Sequence, residues 1–344
     1  MRSLLAGVTL LLIAVSAWGA STGGSENYDV TLVSEQAAIQ PGRPFYVGLR
    51  MEPEPGWHTY WKNPGDAGLP LKIEWTLPPG FTAGPIEWPT PVRFETGPIV
   101  SYGYDREVLL AVPITPPERI AAKSVTITGK FDWLECAEVC VPGSATLELR
   151  MPVHEGEPAR SPAARHFAAA RTNRPAAPSG WDLSAEAGPR AVSLTIRPPK
   201  GTSARSGYFF ADQPLVADYA GAQGFERVGD RYRLTVPPAP SRTGFPERLT
   251  GALVLEGART QGARAAVEVD VLLSAGDPAP AAEAPTLAGG ASSHASADSA
   301  PAPNAPGKSG VPVGVVAGAV ALGGVGLILF RRRQRRSASK KSSP

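Results

Sequence analysis

The sequence predicts an all-β protein built from two successive antiparallel β-sandwich domains. Three observations lead there. Between about residues 25 and 274, short runs of alternating or aromatic side chains are cut apart by Pro/Gly/Asn/Asp clusters, with no long helical period between them. Gly and Pro, 37 each in 344 residues, are too frequent for a helical bundle and suit a fold of many turns. A hydrophobic content of 42% is enough for real cores, and the length allows two or three domains.

The first domain, expected over 24–155, draws its strands from YDVTLVSE (28–35), FYVGLRME (45–52), LKIEWTL (71–77), EVLLAVPI (107–114), SVTITGKFDW (124–133) and ATLELRMPV (145–153). Turns fall at Gln40-Pro41-Gly42, at Asn63-Pro64-Gly65-Asp66 and at Pro78-Pro79-Gly80, where Pro presets φ and Gly admits its positive range. A linker over 156–177 carries a short helix: Ser161 caps it, Pro162 opens AARHFAAAR, and Pro175 lies beyond its end. The second domain, 178–274, uses AVSLTIRP (191–198), GYFFAD (207–212), YRLTVP (232–237), LTGALVLEG (249–257) and AAVEVDVLL (265–273). It has no cysteine and one tryptophan, Trp181.

The two ends read as targeting. Residues 1–19 have the form of a signal peptide: Arg2, an apolar run from Leu4 to Ala17, and small residues offering an exit after Ala17 or Gly19. An uncleaved anchor is the alternative, for which the run is short. Residues 311–330 carry no charge and, as a helix, span about 30 Å, one hydrocarbon core. The tail 331–344 then brings RRRQRR, Lys340 and Lys341 without an acid, which places it in the cytoplasm and the bulk of the chain outside. A sorting signal that is cut off has the same look, and Gly314 with Gly318 leaves dimerisation of the span open. Residues 275–310, rich in Ala, Pro and Ser, bury too little to order themselves and read as a disordered stalk.

These ends account for the charge. The chain carries +3, but setting aside Arg2 and the seven Lys/Arg of the tail leaves 26 basic residues against 31 acidic ones, a net of −5. The basic balance is thus a signal of membrane topology, and nucleic-acid binding has no support.

Chemistry concentrates around the two cysteines, Cys136 and Cys140, in FDWLECAEVCVPG (131–143). In an oxidising compartment such a pair forms a disulfide. As a structural bond it closes a loop of about five residues and contributes only about 2 kcal/mol. A close pair also suits exchange, one thiolate attacking a partner disulfide and the other resolving it. Copper is a third reading, since thiolates bind Cu(I), but Met51, Met151, His58 and His154 form no soft cluster with them. No metal or other cofactor is therefore assigned, and the residues alone leave redox and structural roles open. Glu135 and Glu138 flank the pair and would raise its thiols if close in space. A second dense region is GWHTYWKNPGDAGLP (56–70), in a stretch holding five of the seven tryptophans. Alternate aromatics there face a core, and the NPGDAGLP loop either makes a bend or shields the cysteines, with His58 and Asp66 as candidate proton-handling groups. No GxSxG, Walker, GxGxxG or HExxH motif occurs.

GWHTYWKNPGDAGLP (56–70), SYGYDREVLLAVPI (101–114) and WLECAEVCVPGSATLEL (133–149), in that order, resemble the exported N-terminal region of DsbD-type thiol:disulfide interchange proteins, in particular the ScsB-like branch. The resemblance implies two immunoglobulin-like β-sandwich domains with Cys136 and Cys140 as the redox pair and carries over no other residue; Tyr104, in SYGYDREVLLAVPI, joins His58 and Asp66 as a candidate supporting residue. It implies a membrane thiol reductase of the DsbD/CcdA type acting in trans, and exported disulfide-containing or thioredoxin-like clients. Family members continue into a multi-helix reductase and a thioredoxin-like domain, where this sequence has a stalk and one helix. The expectation is a membrane-tethered, extracytoplasmic thiol-disulfide oxidoreductase module. Its rivals are a non-enzymatic scaffold with a structural disulfide, and a copper-handling binder.

Overall fold

The structure, a computed structural model, describes residues 21–260 and 263–275. The expected signal peptide, transmembrane helix, basic tail and stalk beyond residue 275 lie outside them. No helix among the described residues is long and apolar enough to cross a membrane. The all-β class is observed, with 55% strand and 4% helix.

In chain order the first half supplies β1 (Ser21–Gly24), β2 (Tyr28–Ser34), β3 (Phe45–Pro53), β4 (His58–Gly65), β5 (Lys72–Thr76) and β6 (Thr82–Ala83). It continues with β7 (Val92–Thr96), β8 (Ile99–Tyr104), β9 (Val108–Thr115), β10 (Ser124–Cys136) and β11 (Cys140–Pro152). After α1 (Ala164–Asn173) come β12 (Asp182–Ala187), β13 (Val192–Arg197), β14 (Ser206–Ala211), β15 (Gly224–Val228), β16 (Arg231–Val236), β17 (Arg248–Thr260) and β18 (Ala263–Ala275).

The first half folds into two sheets, β1-β2-β3-β9-β6 and β11-β10-β4-β8-β7, with β5 also pairing β10. Alternation makes them half-buried. Register sets Val30 opposite Met51 and Leu32 opposite Leu49, and all four sides turn inward. From the other sheet Trp61, Ile127, Phe131 and Trp133 meet them in one apolar cluster. Full burial of each such side chain contributes about 1.5–3 kcal/mol. The second half is a seven-stranded sheet, β14-β17-β18-β12-β13-β16-β15, closed on a core of its own that includes Leu194, Phe209, Leu234 and Leu253.

Two local expectations change. Asn63-Pro64-Gly65 is not a bend: β4 runs through it, because the Asn63 side chain is buried and bonded to the second half. The helix starts at Ala164, later than the Ser161 cap implies. Ser161 Oγ accepts the Ala163 N–H at 3.0 Å and donates to the Ser34 carbonyl, so it ties the linker to β2. Phe167 and Ala170 then pack on Val33, Leu109 and Ala111. Arg171 and Arg160 both pair with Glu35, and Arg174 pairs with Glu87. The helix is thereby fixed to the first half.

Candidate functional site

β10 and β11 form a hairpin whose register is unbroken from Ser124↔Pro152 to Cys136↔Cys140. The cysteines are the last pair of that ladder, with only residues 137–139 beyond them, and a disulfide joins them. Their exposures differ sharply. Cys136 is 1% exposed, Cys140 is open to solvent, and Val139 at the tip is 65% exposed.

Cys136 is buried because β4 pairs with β10 at that end alone, His58 opposite Cys136 and Thr59 opposite Glu135. The Thr59 hydroxyl donates to the Leu134 carbonyl at 3.0 Å and holds this short ladder. Directly opposed side chains share a face, so His58 and, two residues on, Tyr60 lie on the cysteine side of the sheet. The Tyr60 hydroxyl donates to Cys136 Sγ at 2.7 Å and stands 3.5 Å from Cys140 Sγ. Burial pushes this phenol above its ordinary range, so it remains a proton donor at neutral pH.

The NPGDAGLP loop reaches the sulfurs through Tyr60. Gly68, at φ +110°, lies so close that a Cβ there would stand 2.2 Å from the Tyr60 ring. Only glycine admits both that backbone and that approach. Asp66 serves the loop itself, accepting the Val100 N–H at 2.9 Å while its own N–H donates to the Val100 carbonyl. Tyr104 points away from the sulfurs, its hydroxyl donating to the Pro89 carbonyl at 2.8 Å.

His58 stacks on Phe94 at 4.5 Å and meets Tyr60 edge-on at 5.4 Å. Burial lowers its pKa, against an opposing pull from Asp105. Glu135, although adjacent to Cys136, turns to the opposite face. It accepts hydrogen bonds from Ser25, Asn27 and Trp133 there, at 2.8, 2.9 and 2.8 Å, and so does not confront the sulfurs. Among the described residues no group of three His, Cys, Asp or Glu side chains gathers to hold a metal ion.

Spacing alone exposes the cysteine pair, but it does not reveal Tyr60 or Phe94. The signal available was the period of two in His58-Thr59-Tyr60, which puts the imidazole and phenol on one face once the strand is recognised.

Residues 29–152 match the family described as thiol:disulfide interchange protein DsbD, N-terminal. The N-terminal periplasmic domain of ScsB from Proteus mirabilis is similar in structure, with a TM-score of 0.54 at 19% identity, over 73% of this chain and 95% of that one. Spo0M, a sporulation control protein from Bacillus subtilis, aligns over 72% of this chain and 90% of its own at 11% identity, with a TM-score of 0.21. No curated protein matches the chain.

Proposed function

We propose that the chain, whose residues 29–152 match the DsbD N-terminal family, is an extracytoplasmic thiol:disulfide exchange module. It takes reducing equivalents from a separate membrane thiol reductase and passes them to exported client proteins. The expected C-terminal helix tethers it to the membrane with the basic tail in the cytoplasm. The observation that carries this reading is the asymmetry of the bond: an exposed residue, Cys140, joined to a buried one, Cys136, whose sulfur already has a phenolic donor.

A donor thiolate attacks Cys140 Sγ and breaks the S–S bond. The electron pair passes to Cys136 Sγ, whose thiolate accepts the Tyr60 hydrogen bond. A second donor thiol resolves the mixed disulfide, leaving the dithiol and an oxidised donor. Toward a client, Cys140 thiolate attacks the client disulfide and releases one client thiolate. Cys136 thiolate then attacks Cys140 Sγ, restores the internal bond and releases the second. Two electrons and two protons move in each direction. In this reading His58, opposite Cys136 in the ladder and with its pKa lowered by burial, receives the Cys136 proton.

The test is the reduction potential of the pair in the full chain, with mixed-disulfide trapping in a Cys136→Ser variant. A value in the catalytic range, above about −300 mV, with a Cys140-linked adduct supports exchange. A potential far below that, with no adduct, overturns the exchange reading.

A further inference from the structure

Strand β4 leaves β8 immediately after Tyr60. Ladder pairs join Tyr60 to Gly103 and Gly65 to Ser101, so Trp61, Lys62, Asn63 and Pro64 stand opposite Tyr102 alone. A bulge of this kind interrupts backbone pairing and re-aims the side chains beside it. Here the second half of the chain supplies the contacts. The Trp61 ring meets Phe210 edge-on at 6.3 Å, and Lys62 Nζ pairs with Asp212 Oδ1 at 2.7 Å. Asn63 Nδ2 donates to the Ala211 carbonyl at 2.7 Å, and its Oδ1 accepts from the Tyr219 hydroxyl at 3.3 Å. Tyr102 shares a hydrogen bond of 2.8 Å with the Tyr208 hydroxyl and packs against Phe210 and Tyr219.

Asn63 is the pivot of this junction. It is 2% exposed, and its Oδ1 also accepts the Gly65 N–H at 3.3 Å, which sets where the chain leaves the strand. From Gly65 the loop turns back: Asp66 engages Val100, and the Ser101 hydroxyl donates to the Ala67 carbonyl at 3.2 Å. Gly68 then comes down on the Tyr60 ring. Contacts therefore run without a gap from the second half, through Asn63 and this loop, to the phenol on the two sulfurs.

We propose that the seven-stranded second half is the positioning element of the sulfur site, with Asn63 as the positioning residue through which it acts. By holding the β4 bulge it keeps the loop on the Tyr60 ring and the Tyr60 hydroxyl on Cys136 and Cys140. This rests on the exchange reading above and gives the second half a part in it. With the clamp released, the loop lifts from the ring and the phenol swings clear. The Cys136 thiolate that leaves when Cys140 is attacked then loses its donor.

The experiment uses the full chain and four variants: Asn63→Ala, Tyr219→Phe, Tyr60→Phe, and Asn63→Ala with Tyr60→Phe. It reads the rate of disulfide reduction by dithiothreitol and the equilibrium with glutathione. Asn63→Ala is expected to slow reduction about tenfold, as Tyr60→Phe does, with the double variant no slower than Tyr60→Phe alone. The equilibrium shifts toward the disulfide by the same factor, about 30 mV for a two-electron couple. Tyr219→Phe removes one hydroxyl from the Asn63 amide and shifts both readings the same way by less, and it decides the matter if Asn63→Ala does not fold. Wild-type rates in folded Asn63→Ala, or in Tyr219→Phe where that variant decides, overturn the clamp. So does an Asn63→Ala effect that multiplies with that of Tyr60→Phe. A disulfide that resists reduction in the wild-type chain as well overturns the exchange reading itself.

Discussion

Two long hairpins, one in each half, have strands of equal length and different ends. β10–β11 and β17–β18 both pair thirteen-residue strands. The first keeps one register to its tip and closes in a disulfide. The second shifts register between Leu255 and Arg259, where Gly257 takes φ +84°, and contains no cysteine. It pairs without a covalent link, on a core in which Leu249, Leu253, Leu255, Val267 and Val269 are all buried, with Arg248 bonded across it to Asp270. A hairpin of this length therefore holds without a covalent staple. The disulfide sits where the first hairpin needs it least, across a short loop between strands already paired along twelve other positions. Its placement makes sense as chemistry mounted on a finished scaffold.

The largest expected effects probe the shared basis of the two hairpins. Leu147→Ala and Leu253→Ala, at 1% and 0% exposure, should each cost about 2–5 kcal/mol in chemical denaturation. A much smaller loss at Leu147 would mean that the staple carries the first hairpin after all. Next comes the bond itself. Cys140→Ser should lower stability by about 2 kcal/mol or less while abolishing release of client thiols. A loss matching that of the core leucines would erase the distinction between scaffold and chemistry.

Tyr60→Phe is expected to slow reduction of the disulfide by about tenfold, the worth of one hydrogen bond to a thiolate, and to leave the melting temperature nearly unchanged. An unaltered rate would remove the phenol from the site. The smallest effect concerns pH. Burial lowers the His58 pKa from the ordinary 6.5, so the unfolded chain takes up its proton first as pH falls. Stability tied to His58 is complete above about pH 6.5 and declines as pH drops from there toward the lower folded value. His58→Phe should flatten that decline between pH 7.5 and 5.5 in denaturation curves. An equally steep decline in the variant would assign the pH dependence to another group.

What the sequence makes legible is local. The alternation in YDVTLVSE, FYVGLRME, LKIEWTL and SVTITGKFDW shows up as β2, β3, β5 and β10, because each pattern records one buried face. β8 escapes notice because Val100 through Tyr104 are all buried, Ser101 and Gly103 included, so no polar face marks it, and β7 because its alternation spans only five residues and neither of its faces is buried. The cysteine pair declares itself through spacing. Tyr60 does not, since its contact with Cys136 crosses 76 positions and depends on the two-residue pairing of β4 with β10. Asp66 and Asn63 mislead for the same reason: Asn-Pro-Gly-Asp is turn chemistry until β8 and the second half supply other partners.

The junction between the halves has a consequence for how such a chain varies. Trp61 and Tyr102 belong to one apolar cluster with Phe210, Tyr219, Ala252, Val254 and Ala266, contributed by strands far apart in the chain. Close packing leaves little slack at such a place. A bulkier residue at one of these buried positions has to be answered by a trimmed one across the junction. Paired substitutions across this seam, rather than independent drift of two cassettes, are the mark it should leave on any set of relatives.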